Sequence, residues 1–206
     1  CPDVISRNDA GSAVASRCME LVIPTAQKID PRDYLVGRGI LNSSGGPPAT
    51  TSAVSGVVVA RLASPKASRV AIIGTGVQAR AHLPMLTTLL PGLELVVCDA
   101  LPEQAQAYAS WAAAFSALSS VTVVETLSQA IKGADVVITA GTTYAFYQHQ
   151  MRVDLLCEDA LVIAVDWSTL VPGEVVREST LFLVDDIPQY LSHKSLGVEV
   201  LGYPEG

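Results

Sequence analysis

Apolar residues fall along this chain in short unbroken runs, and between the runs the pattern switches to helical spacing. The runs at 69–73, 93–98, 121–124, 135–140, 161–165 and 181–184 are dominated by Val, Ile and Leu without sustained polar alternation. Such runs predict parallel strands covered on both faces. Helices are predicted at 77–90, 102–117, 126–132 and 187–193. Pro102 suits a first helical turn, and residues 105–114 are alanine-rich. Pro84 falls inside the first of these helices and is expected to kink or shorten it. Strands alternating with helices predict an α/β fold, a Rossmann-type doubly wound parallel sheet with right-handed crossovers.

The first third of the chain reads differently. Residues 19–23 look like a strand stopped by Pro24, and Asn42-Ser-Ser-Gly-Gly-Pro-Pro48 is a loop by composition. Residues 51–62 are small and apolar, a helix packed closely on another element and ending near Ser64-Pro65. The expected division is a partial substrate and dimerisation domain at 1–65, a dinucleotide-binding domain at 66–192, and a return toward the first domain at 193–206.

The stretch Val70-Ala-Ile-Ile-Gly-Thr-Gly-Val-Gln-Ala79 carries the most specific chemistry. A strand runs into a glycine turn and then a helix start, the arrangement that lays a helix N-terminus against a diphosphate. Gly74 allows the tight turn, and Gly76 lets the backbone approach the phosphates. Ala79 stands where a third small residue lets helix and strand pack. Gly74, Thr75, Gly76, Val77 and Gln78 are therefore candidate cofactor contacts; the competing reading is a turn that binds nothing. Asp99 closes the next apolar run, about 25 residues beyond Gly74, where a carboxylate accepts from both hydroxyls of an adenosine ribose. It would repel a 2′-phosphate, so NAD is favoured over NADP. Thr139, Ala140 and Gly141 follow the fourth run, where small residues let a cofactor pass and a hydroxyl can reach ribose.

Composition narrows the picture further. The 206 residues are 50% hydrophobic and 16% charged, with a formal net charge of −7. That balance supplies a sizeable core and argues against nucleic acid as a partner. No apolar stretch approaches the ~18 residues of a membrane span. Cys1, Cys18, Cys98 and Cys157 lack metal-ligand or disulfide-frame spacing and read as free thiols of a cytosolic protein. No secretory leader pattern opens the chain, and its ends read as cut from a longer enzyme.

Several stretches together resemble the ornithine cyclodeaminase/mu-crystallin family: Glu20-Leu-Val-Ile-Pro-Thr25, Thr51-Ser-Ala-Val-Ser-Gly56, the glycine turn above, Gly133-Ala-Asp-Val-Val-Ile-Thr-Ala140, Leu161-Val-Ile-Ala-Val-Asp166 and Leu183-Val-Asp-Asp186. The resemblance implies hydride exchange between bound NAD and the carbon bearing an amino or imino group of a small substrate. A reductase or amino-acid dehydrogenase is the first expectation, with an ammonia-releasing cyclodeaminase or a non-catalytic binding protein as alternatives. It also implies a homodimer. Thr50 stands where the family places an arginine that grips the substrate carboxylate, Arg38 is the basic residue nearest the family's lysine position, and Ser168 stands where an aspartate is usual.

Among the remaining candidates, Asp166 ends an apolar strand at the ligand edge and could exchange a proton near the nicotinamide, or cap a turn. Ser168 could bond ligand or cap the same turn. Arg7 and Arg38 could clamp a carboxylate, or be solvated surface arginines. His82, His149 and His193 match no metal spacing; His82 reads as structural. Residues 144–147, rich in aromatics, could cover the nicotinamide or fill the core.

Overall fold

The computed structural model describes residues 47–141, 151–166, 170–184, 187–195 and 202–204. Its centre is β1 (Arg69–Ile73), in which Val70, Ala71 and Ile72 are fully buried. Branched side chains on both faces suit a strand covered from both sides. On one side of β1 lie β2 (Leu93–Cys98) and then β3 (Leu118–Val123), and on the other β4 (Val136–Thr139) and then β5 (Leu161–Ala164). The order is β3-β2-β1-β4-β5 and every pairing is parallel. Ala71 sits opposite Val96 on one side and Val137 on the other. The chain therefore reverses its direction of travel across the sheet between β1 and β4. At the carboxyl ends of those strands the crossovers diverge and leave a crevice.

Alternate strand residues feed two cores. Val70, Ile72, Leu95, Val97 and Ile138 face a layer that includes α1 (Pro47–Leu62), α2 (Val77–Leu89) and α3 (Pro102–Ala112). Ala71, Ile73, Val96 and Val137 face α4 (Leu127–Ile131), α5 (Gly173–Glu178) and α6 (Ile187–Ser195). Each fully buried Leu, Ile or Val contributes about 1.5–3 kcal/mol of transfer free energy, so these two layers dominate the stability of the sheet. The short α4 is fixed by a reciprocal cap: the Gln129 N–H donates to Thr126 Oγ1, and Gln129 Oε1 accepts from the Thr126 N–H.

Several expectations need correction. Pro84, expected to kink or shorten α2, does not shorten it: the helix continues to Leu89. The proline removes one backbone donor, but Leu83, Met85 and Leu86 are all fully buried around it and hold the helix. The hydroxyls of Thr87 and Thr88 both donate to the Pro84 carbonyl. The third helix stops at Ala112 rather than near 117: Phe115 packs edge-on against Trp111, and β3 begins at Leu118 opposite Leu93. Tertiary pairing overrides the alanine propensity there. As an edge strand β3 leaves Ser119, Ser120 and Thr122 exposed. The expected strand at 181–184 is not part of the sheet; Phe182 makes an isolated bridge and stacks edge-on with Tyr190 and Tyr203. The helix expected at 51–62 is present and starts earlier, at Pro47, inside the stretch read as loop; α5 was not anticipated.

Of the expected first domain, residues 1–46 lie outside the described residues. The remainder, α1, packs against α2, and its Val59 shares a core with Val70 and Leu83. At the other end, residues 202–204 lie on α5 and α6: Lys194 Nζ donates to the carbonyls of Tyr203 (2.8 Å) and Pro204 (2.6 Å), and the Tyr203 hydroxyl donates to the Val171 carbonyl. No helix among the described residues is long and apolar enough to cross a membrane.

Candidate dinucleotide site

The turn between β1 and α2 is built around Gly74. Its φ is +86°, a region that a side chain makes costly. A Cβ there would lie 2.5 Å from the Ala140 carbonyl oxygen and 2.8 Å from the Gly141 nitrogen. Its N–H donates to the Cys98 carbonyl at 2.8 Å, and the Ala140 N–H donates to the Ile73 carbonyl at 2.7 Å. The glycine thus lies between the end of β2 and the loop that leaves β4. Gly76 differs: it is the N-cap of α2, in extended conformation, with no side-chain cap. A Cβ on Gly76 would meet nothing within 4 Å among the described residues. The backbone bond from Arg80 N–H to Gly76 O closes the first turn of α2. The N–H groups of Gly76, Val77, Gln78 and Ala79 precede it, so no helical carbonyl lies behind them. An uncapped helix start, its dipole and the open space over Gly76 suit an anion. Val77, two-thirds exposed, borders that space.

Asp99 faces this turn from the end of β2. Its Oδ2 accepts from both the N–H and the hydroxyl of Thr75, each at 2.7 Å, and its Oδ1 accepts from the Leu101 N–H at 3.0 Å. This bears on two expectations. Thr75 is almost fully buried and both its donors are committed to Asp99, which turns them away from the cofactor contact expected of it. A carboxylate has about four acceptor positions. Three are filled, which leaves Asp99 one position, on Oδ1, rather than one for each ribose hydroxyl. Next to it Cys98 is buried, and burial followed by the Asp99 charge pushes its thiol pKa up, so the thiol stays protonated and unreactive.

Ala140 and Gly141, which follow β4, lie against the glycine turn. Asp166 lies two residues past β5 and is 4% exposed. Its Oδ1 accepts from the Thr139 hydroxyl at 2.6 Å and its Oδ2 from the Gly141 N–H at 2.9 Å. Thr139 is fully buried and its hydroxyl donates to Asp166, which turns its proton away from the ribose contact expected of it. Both Asp166 oxygens are engaged by fixed donors, a geometry that ties a loop in place rather than one open to solvent protons. Close contact then runs from the Gly74 backbone to that of Ala140 and Gly141, and from the Gly141 N–H to the Asp166 carboxylate. Arg7, Arg38 and Ser168 lie outside the described residues, as do residues 144–147.

Residues 48–178 match the ornithine cyclodeaminase/mu-crystallin family. The chain belongs to that family. The nodulation efficiency protein NfeD of Rhizobium meliloti is 27% identical over 157 residues, which is 75% of this chain and 45% of that protein. The Δ1-pyrroline-2-carboxylate reductase of Thermococcus litoralis, solved with NADH and L-proline, is 26% identical with a TM-score of 0.58, covering 65% of this chain and 42% of that one. CmnK, at 24% identity and a TM-score of 0.61, covers 73% and 44% and shares the fold. The chain therefore spans less than half the length of these relatives.

Two further positions are placed by the structure. Thr50, for which the resemblance implied an arginine in other members, is an exposed residue in the first turn of α1. His82, one helical turn after Gln78, is fully buried against α1. Its Nδ1 lies 2.7 Å from the Gln78 carbonyl and its Nε2 2.9 Å from Ser55 Oγ. A carbonyl only accepts, so Nδ1 carries a proton; in the neutral ring Nε2 then accepts from the Ser55 hydroxyl, whose single proton the Thr51 carbonyl at 3.2 Å also competes for. Burial lowers the His82 pKa, which the Gln78 contact offsets only partly. The expectation of a structural histidine gave no sign of Ser55 as its partner, because spacing on two separate helices does not reveal which faces meet. Gln78 Oε1 is buried without a hydrogen-bond partner among the described residues.

Proposed function

We propose that this chain is the dinucleotide-binding part of an NAD-dependent oxidoreductase acting on a small amino or imino acid, of the ketimine reductase or amino-acid dehydrogenase kind. The observation that carries the reading is the uncapped start of α2, with open space over Gly76 and Asp99 beside it. The NADH and L-proline bound to the Thermococcus litoralis reductase support both cofactor and substrate class. The residues fit the cofactor: the N–H groups of Gly76, Val77 and Gln78 would hold the diphosphate, and the free position on Asp99 Oδ1 would take a ribose hydroxyl. Bound NAD supplies the hydride chemistry. The chain's own residues orient and exclude. Ala140 and Gly141 form a low floor, and Asp166 keeps that floor pressed to the glycine turn. Arg38 and Arg7 are the candidates for gripping a substrate carboxylate, and Ser168 for a contact near the nicotinamide. The family resemblance favours a homodimer, which sedimentation velocity tests directly.

Calorimetric titration with NAD, NADH, NADP and NADPH tests the cofactor reading. NAD and NADH are expected to bind at least about tenfold more tightly than their 2′-phosphorylated counterparts; failure of all four to bind would remove the proposal. A panel of cyclic imines and amino acids, followed by cofactor absorbance, then tests turnover. Binding without turnover would favour a non-catalytic family member, a reading consistent with an exposed Thr50 in place of an arginine.

A further inference from the structure

Asp99 is held more firmly than a ribose-binding carboxylate at the end of a strand requires. The holding group is the residue inside the glycine turn. Thr75 is 3% exposed and aims two donors, its N–H and its hydroxyl, at the same oxygen, Oδ2, at 2.7 Å each. The Leu101 N–H fixes one side of Oδ1 at 3.0 Å. The turn that would hold the diphosphate and the carboxylate that would meet the ribose are thereby one hydrogen-bonded unit. Removing the Thr75 hydroxyl leaves Oδ2 held by one donor instead of two and loosens the carboxylate.

We infer that Thr75 is a positioning residue for cofactor choice: it pins Oδ2 of Asp99 so that Oδ1 offers a single acceptor to one adenosine ribose hydroxyl and stands too close to admit a 2′-phosphate. This rests on the dinucleotide reading and goes beyond it by making selectivity depend on a residue that faces no ligand. Two consequences separate it from a general role in folding. One ribose hydroxyl, not both, carries the recognition. Discrimination between NAD and NADP depends on the Thr75 hydroxyl, whereas a loosened fold would weaken both cofactors alike.

The test is calorimetric titration of the full chain and its Thr75→Val, Thr75→Ser and Asp99→Ala variants with NAD, NADP, and NAD analogues lacking the adenosine 2′- or 3′-hydroxyl. Thermal melts verify that each variant is folded. Valine keeps the shape and the N–H but removes the hydroxyl; it is expected to weaken NAD about tenfold and leave NADP within about twofold, with serine restoring the original ratio. In the unaltered chain one deoxy analogue is expected to lose affinity and the other to match NAD. In Thr75→Val that loss is expected to shrink, since the two changes remove one coupled interaction. Equal losses for both analogues would overturn the single-acceptor geometry. An unchanged NADP-to-NAD ratio in folded Thr75→Val, alongside a collapsed ratio in Asp99→Ala, would overturn the role of Thr75 and leave the site intact. An unchanged ratio in Asp99→Ala would overturn the ribose contact itself. If Thr75→Val does not fold, the serine variant and the two deoxy analogues on the unaltered chain still decide the matter.

Discussion

Gly74 and Gly76 lie two residues apart and answer to different demands. At Gly74 a side chain would adopt a left-handed conformation and press into the Ala140 carbonyl. Gly74→Ala is expected to cost at least about 2 kcal/mol in urea denaturation. At Gly76 the backbone is extended and the space over it is open. Gly76→Ala is expected to leave stability within about 1 kcal/mol while weakening NAD about tenfold or more by calorimetry. The opposite assignment of the two effects would misplace the diphosphate. Asp166 allows a second discrimination. Asp166→Ala orphans the Thr139 hydroxyl and the Gly141 N–H, at about 1–3 kcal/mol each. Asp166→Asn can still accept from Gly141 and donate to Thr139 Oγ1, so about half that loss or less is expected. Retained turnover in the asparagine variant would fix the residue as a clamp; inactivity with stability intact would restore it to proton exchange. The positions of Gly74, Gly76 and Asp99 were legible in the sequence, because glycines at that spacing behind an apolar run leave few other geometries. The inward turn of Thr75 and Thr139 was not, because a hydroxyl beside a ligand edge looks the same whether it faces the ligand or a buried carboxylate.

At the scale of elements, the packing of α1 on α2 turns on a neutral histidine. Burial places the folded-state pKa of His82 below its ordinary value of 6.5. Above that value both folded and unfolded chains carry it neutral, and its contribution to stability is fully present. As pH falls below 6.5 the unfolded chain takes up a proton that the folded one refuses, so stability declines toward the folded pKa, by at most about 1.4 kcal/mol per pH unit. Denaturation midpoints at pH 7.5, 6.5 and 5.5 are expected to fall for the native chain, and His82→Asn to flatten the part of the slope that carboxylates do not supply. Strand and helix identities along β1, α2, β2 and β4 followed from periodicity alone. The ends did not: Pro84 and the alanines after Ala112 carry local preferences that burial in α2 and pairing of β3 outweigh. The apolar run at 181–184 serves an aromatic cluster with Tyr190 and Tyr203 instead of a sheet, and a run of that length cannot by itself tell the two apart.

Across the whole molecule, sheet order places the glycine turn, the end of β2 and the loop after β4 on one rim. Alternation of strands and helices predicts a doubly wound sheet; the order follows from crossover handedness and the position of the glycine turn on the first strand. A ligand seated on that rim touches the crossovers that leave three adjacent strands, β2, β1 and β4, and is expected to stabilise all of them. At a hundred times its dissociation constant NAD should add about 2.7 kcal/mol, a rise of roughly 5–10 °C in the melting temperature by calorimetry, with less for NADP at the same concentration. No shift on saturation would contradict the placement.

The stacked contact from Gly74 through Ala140 and Gly141 to Asp166 leaves little latitude beneath a bound nucleotide. Any attempt to recut the crevice for a different nucleotide fit should therefore leave the basement alone and work on the parapet, at the outward-facing Val77 and Leu101, where bulk or charge can be exchanged without disturbing the foundations.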